Sequence, residues 1–190
     1  MNPERRLLLI KHSLPEILTG LDAHVWRLSN EGRTRSTTLA AALVPYSPTM
    51  LATSREPKTQ ETAEIVGREL NVPVEAVADL HEVNRTGVPW LDRDQFEAAV
   101  RSFFDRPGEC VFGNESAGEA LARFRSVIDG VLARHPVGTV AVVAHGTVIG
   151  LYVAAVAGVE PFPLWHRLDL PSFVVLALPS GRLVEVVERV

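Results

Sequence analysis

Short unbroken apolar runs alternate with longer stretches in which apolar side chains return every third or fourth place. Residues 6–10, "RLLLI", form a short apolar run bounded by charge, which suits a strand covered on both faces of a sheet. "NEGRTRSTTLAAAL", residues 30–43, predicts a helix with Ser29 as its N-cap and Pro45 as its stop. "TMLATS", 49–54, reads as a second strand. Pro57 suits the first turn of the next helix, where Ala63, Ile65, Val66 and Leu70 share one face and Pro73 ends the unit.

A brief strand at 74–77 leads into "LHEVNRTGVPW", 80–90, whose glycine, proline and polar residues mark a loop. Helices are predicted over 92–106 and 117–134, the latter with Ser116 and Glu119 at capping-box spacing. "TVAVVA", 139–144, is the clearest buried strand, and the helix after it, 147–157, meets Gly158 as its terminator. "SFVVLAL" and "RLVEVVERV", joined through Pro179-Ser180-Gly181, predict a hairpin.

This order predicts an α/β fold: a three-layer α/β/α sandwich with a mostly parallel central sheet and one antiparallel strand. The 190 residues suit a single domain, and 46% hydrophobic against 22% charged residues marks a chain that folds. A formal net charge of -4 gives no general attraction to nucleic acid or to a membrane surface. Cys110 is the single cysteine, so no internal disulfide and no cysteine cluster for zinc can form, and a reducing compartment fits. The opening "MNPERR" precedes too short an apolar run for a signal peptide, and no run approaches the roughly 20 residues of a membrane span. A cytoplasmic location is expected.

In open α/β sheets ligands sit beyond the carboxyl ends of the strands. There "LLLIKHS" delivers His12 and "VVAHG" delivers His145, each just after a buried strand and just before a small residue. A neutral imidazole attacks an electrophile directly when its other nitrogen is held by a hydrogen bond. Phosphorus among anionic oxygens is a natural target, provided cations and amides cradle those oxygens. Lys11, the Ser13 amide and the turn at Gly146 are candidates for that cradle. Either histidine alone is better explained as a strand-end residue bonded to a loop carbonyl; the pattern of two leaves a catalytic role about even with that reading.

Other chemistries find less support. His24, His135 and His166 have no partner at metal-ligand spacing, so neither a catalytic metal nor a cofactor is expected. Ser13 and Ser54 lie in no nucleophile elbow, and the glycines form neither a Walker loop nor a dinucleotide fingerprint. Trp26, Trp90 and Trp165 sit in polar or proline-containing segments and are candidates for a substrate mouth, with core packing expected of at least one.

Several segments resemble, in order, the signature blocks of the histidine phosphatase superfamily, the phosphoglycerate-mutase-like proteins. "LLLIKHS" is similar to the family's Arg-His-Gly strand, and "TSREPKTQETAEIV" to its Ser-Pro-Leu-x-Arg-Ala-x-x-Thr-Ala block, with Lys58 at the arginine position. "LHEVNR" resembles the acidic segment and "VVAHG" the second histidine block; "LSNEGR" and "GNESAGEALARF" are weaker matches in the same order. The resemblance spans about residues 7–150. It implies His12 as nucleophile, Glu82 as proton donor, His145 as catalytic partner, and a phosphate site that includes Lys11 and Lys58.

The departures are specific. Both arginines of the family's phosphate pocket are lysines here, Ser13 stands for the glycine after the nucleophile, and Leu18 stands where some members carry asparagine. Lysine keeps the charge but loses the planar fork that grips two oxygens. Arg55 and Arg85, each near a site segment, could restore that grip; a solvated loop charge is the competing reading, the stronger one for Arg55 and an equal one for Arg85. The expected activity is metal-independent hydrolysis of a phosphomonoester through a phosphohistidine. A noncatalytic phosphate-binding or regulatory homologue, and a phosphoglycerate-mutase-type phosphotransferase, stay open as alternatives. The expected partner is a small phosphorylated substrate or inorganic phosphate, with residues 84–116 as a substrate-covering insertion; a homo-oligomer stays open.

Overall fold

The protein is described by a computed structural model covering residues 5–190. Six strands form one sheet: β1 (Arg6–Lys11), β2 (Pro48–Thr53), β3 (Val74–Ala76), β4 (Thr139–Ala144), β5 (Ser172–Ala177) and β6 (Arg182–Val187). Their order across the sheet is β3-β2-β4-β1-β5-β6. The β3–β2, β2–β4 and β4–β1 pairs are parallel, whereas β5 runs antiparallel to both β1 and β6. One strand thus opposes the other five, as the alternation of elements predicts.

Helices cover both faces. On one, α1 (Asn30–Leu43) and α2 (Pro57–Leu70) bury Leu39, Leu43, Ala63 and Val66 against Leu8, Ile10, Leu51 and Val143. On the other lie α3 (Arg93–Asp105), α4 (Ala117–Arg134), α5 (Gly146–Ala157) and α6 (Pro161–Arg167), packed on Leu7, Leu9, Val140 and Val142. Leu7 to Ile10 are wholly buried because alternate side chains enter opposite cores, so an apolar run without alternation is what this position requires.

Local signals act where expected. The Ser29 hydroxyl accepts from the Gly32 amide, and Ser116 with Glu119 closes a reciprocal capping box at the start of α4. Gly158 ends α5 in the left-handed region at φ 69°. α6 is the element that the pattern missed: its seven residues contain two prolines, yet Pro161 occupies the first turn, where a missing N–H costs nothing. No helix among the described residues is long and apolar enough to cross a membrane.

Candidate active site

Strands β1 and β4 lie side by side in parallel register, with Leu7 opposite Val140 and Lys11 opposite Ala144. The next residue on each chain is therefore a histidine at the same sheet edge. The His12 amide donates to the Ala144 carbonyl at 3.1 Å, extending the ladder by one step, and the His12 and His145 rings stand edge to face with centroids 5.3 Å apart. Residues more than 130 positions apart in sequence meet because two adjacent strands end together.

The His12 Nδ1 lies 2.7 Å from the Ser13 carbonyl oxygen, which can only accept, so Nδ1 carries the hydrogen and Nε2 the lone pair. Burial holds this imidazole well below its ordinary pKa, and the charges of Lys58 and Lys11 push the same way. The ring is therefore neutral at neutral pH. His145 is lowered well below its ordinary value for similar reasons, burial first and Lys58 next. Its Nε2 lies 3.2 Å from Ser54 Oγ and 3.3 Å from Glu56 Oε1.

Behind His12 the loop is locked from three sides. The Ser13 amide donates to Thr62 Oγ1 at 3.1 Å, the Ser13 hydroxyl donates to the Gly32 carbonyl at 2.7 Å, and Thr62 in turn donates to the Lys58 carbonyl. A Cβ on Gly32 would fall 2.0 Å from the Leu14 carbonyl oxygen, so only glycine lets α1 approach this loop. The Thr-Ala and Gly positions of the two sequence blocks thus serve to hold the His12 loop in place.

Lys11 and Lys58 both reach the site but are engaged differently. Lys11 Nζ donates to the Leu168 carbonyl at 2.6 Å, and burial pushes its pKa down to about 8, against the opposing pull of Glu82 and Asp169. Lys58, in the first turn of α2, donates to the Ala23 carbonyl at 2.7 Å and to the Glu56 carboxylate in a short ion pair. Glu56 is buried and makes three contacts at once: Lys58, His145 and, through Oε1 at 3.0 Å, the Glu82 amide.

The Glu82 carboxylate also belongs to the site. Its Oε2 accepts from the Thr147 amide in the first turn of α5 at 3.1 Å, and Oε1 from the Val83 amide at 2.9 Å. The loop that carries it is clamped by Arg123 of α4, which donates to the carbonyls of Asp79 at 2.7 Å and His81 at 3.1 Å while paired with Glu115 at 2.7 Å. Arg85 lies with its guanidinium 4.9 Å from the Phe96 ring centre and 5.0 Å from that of Phe112. Gly113, at φ 108°, passes so close that a Cβ would fall 2.4 Å from the Asn84 carbonyl oxygen. Glycine is required there for the strand of loop holding Arg85.

Lys11, His12, Arg55, Lys58, Glu82, Arg85, His145 and Gly146 all line one cleft. Ser13 does not: it is fully buried, and both its amide and its hydroxyl are engaged behind His12. Arg55 is exposed on the cleft wall. Gly146 is small for a reason other than ligand approach, since a Cβ there would meet Lys11 Cε at 3.1 Å. Trp26, Trp90 and Trp165 all border the cleft; Trp26 and Trp165 are buried and Trp90 is exposed. Among the described residues no group of histidine, cysteine, aspartate and glutamate side chains could hold a metal ion.

Glu56 and Ser54 were not legible as site residues. Glu56 is two positions from Lys58, a spacing that does not share a helix face. It precedes the helix instead, as an extended N-cap at φ -74° and ψ 139°, so its side chain turns back towards His145.

The family model for the histidine phosphatase superfamily, branch 1, matches residues 21–188. The chain belongs to that superfamily. Solved structures agree on the fold of this histidine phosphatase superfamily member. A mycobacterial glucosyl-3-phosphoglycerate phosphatase superposes with TM-score 0.78 at 22% identity, covering 97% of this chain and 99% of the other. The same enzyme in complex with inorganic phosphate gives 0.71 at 24% identity, covering 96% and 95%. The alpha-ribazole phosphatase of Shigella flexneri gives 0.74 at 19% identity, covering 96% of each chain. No curated protein matches the chain.

Proposed function

We propose that this member of the histidine phosphatase superfamily hydrolyses a phosphomonoester without a metal, through a phosphohistidine on His12. The observation that carries the reading is the His12 ring beside His145, with Nδ1 bound to the Ser13 carbonyl and Nε2 left with its lone pair. A neutral, oriented imidazole of that kind is what nucleophilic attack at phosphorus needs.

The phosphoryl oxygens settle among Lys11, Lys58, His145 and the first turn of α5 at Gly146, with Arg85 and Arg55 on the cleft wall. His12 Nε2 attacks in line, the bond from phosphorus to the alcohol oxygen breaks, and Glu82 gives that oxygen a proton. Water then attacks the phosphohistidine and yields its proton to Glu82, releasing inorganic phosphate and the free imidazole. Residues 84–116 supply Arg85, Trp90, Phe96 and Phe112 to the cleft, in keeping with a segment that covers the substrate.

One contact favours a second reading. Glu56 already occupies Lys58 and His145, the groups a phosphate would take, so the protein could bind phosphate slowly or weakly without turnover. Hydrolysis of 4-nitrophenyl phosphate in the presence of a chelator separates the two. Turnover that His12→Ala abolishes supports the phosphatase; phosphate binding without turnover supports the regulatory homologue, and isomerisation of phosphoglycerate without phosphate release supports a mutase.

A further inference from the structure

The cleft is much larger than a phosphoryl group. At about 1220 Å³ it matches or exceeds the usual volume of a small-molecule site, so most of it must serve the alcohol half of the ester. The chemistry of the outer cleft differs sharply from that of the floor.

Aromatic rings make its walls. Trp26 and Trp90 lie with ring centres 6.0 Å apart, and Phe96 bridges Phe112 at 5.6 Å and Trp165 at 5.8 Å. The rim adds Ile17, Leu21 and Val25, and these stand with Trp90 among the exposed large apolar residues of the protein, Trp90 at 53%. Apolar side chains gathered at one mouth on an otherwise polar surface mark a contact site.

The polar groups of the wall are largely engaged with their own neighbours. Asp92 accepts from the Gln95 amide at 2.9 Å as the cap of α3, Asn84 accepts from the Thr86 amide at 3.1 Å, and Arg93 is paired with Glu97 at 2.9 Å. Beyond the floor, Arg55, Arg85 and Arg93 share the wall with Asp22, Asp79 and Asp92. A second anionic group on the substrate would meet no excess of positive charge there, and a polyhydroxylated alcohol would find few unengaged partners.

We infer that the alcohol half of the substrate is bulky, with an aromatic or comparably apolar body seated against Trp90, and that phosphorylated hydroxy acids, which lack such a body, are poor substrates. This rests on the phosphatase reading above. The phosphate end is held by charge at the floor, and the apolar body sets which ester is chosen.

The test compares ethyl, 2-phenylethyl and 2-(2-naphthyl)ethyl phosphate, whose alcohols are similarly poor leaving groups, together with 3-phosphoglycerate. kcat/KM is expected to rise by roughly tenfold or more from ethyl to naphthylethyl. 3-Phosphoglycerate should fall at or below the ethyl ester. Trp90→Ala should shrink the naphthylethyl-to-ethyl ratio several-fold, and Trp90→Phe should restore most of it. Turnover that is the same for all three alkyl esters, or fastest with 3-phosphoglycerate, overturns the inference while leaving the phosphatase reading intact. Binding of 2-naphthylmethylphosphonate and methylphosphonate, measured by calorimetry, needs no turnover. Tenfold tighter binding of the naphthyl compound supports the apolar cleft even if no ester is hydrolysed, an outcome that would count against the phosphatase reading alone.

Discussion

The loops after β1 and after β2 flank the histidine pair and are held by opposite means. At the end of β1 the hydrogen bonds go to neutral groups: Ser13 to Thr62 and Gly32, His12 to a carbonyl, and Lys11 to the Leu168 carbonyl. After β2, Lys58 and Glu56 form an ion pair whose side chains are only 6% and 10% exposed. Lys11 can exchange a neutral carbonyl for a phosphate oxygen, whereas Lys58 must part from a carboxylate in a site where charges interact strongly. Two lysines in a pocket therefore do not present two charges to a ligand; one of them is already neutralised in place.

The largest effect is expected on the β1 side. His12→Ala should reduce hydrolysis of any ester by on the order of 10⁴-fold or more, read by phosphate release, since it removes the imidazole that the attack on phosphorus requires. Glu82→Gln should follow with about 10²-fold for alkyl esters and much less for 4-nitrophenyl phosphate, whose leaving group needs no proton. Equal losses for both ester types would remove Glu82 from the role of acid.

Substitutions on the β2 side sharpen the comparison through their signs. Lys58→Ala leaves Glu56 buried without its cation and should lower unfolding stability by about 3 kcal/mol in urea titrations. Adding Glu56→Ala should recover part of that loss. Glu56→Gln keeps the hydrogen-bonding shape but releases Lys58, so inhibition by inorganic phosphate should tighten several-fold. If Glu56→Gln weakens phosphate instead, Glu56 supports the anion site and does not compete with it.

The smallest effect is in pH. Lys11 carries its charge below about 8 and loses it above, so kcat/KM for 4-nitrophenyl phosphate, whose leaving group needs no proton from Glu82, should fall as pH rises through that value. His12 is lowered well below 6.5, so its neutral form persists through neutrality and the acid limb lies under 6.5. Lys11→Arg should move the basic limb beyond the measurable range while leaving the acid limb unchanged; a basic limb that stays near 8 assigns it to another group.

Much of the fold was legible because local signals were strong and mutually consistent. Ser29, Ser116 with Glu119, Pro57 and Gly158 mark helix ends by short-range chemistry, and the buried strands carry unbroken apolar runs. The meeting of His12 and His145 was legible because parallel neighbouring strands bring their ends to one edge. What was not legible depends on side-chain direction. Ser13 turns away from the cleft to bond Gly32, and Glu56 reaches His145 only because the chain before α2 is extended. α6 escaped notice because its prolines read as loop, although at a helix start they are tolerated.

The central claim is that phosphorus passes through Nε2 of His12. Mixing the protein with a ³²P-labelled phosphomonoester, quenching in alkali and comparing acid with alkali treatment tests it most directly. A label that survives alkali, is released by acid and is absent from His12→Ala is the expected result. Turnover with no trapped label, or a label undiminished in His12→Ala, would contradict it.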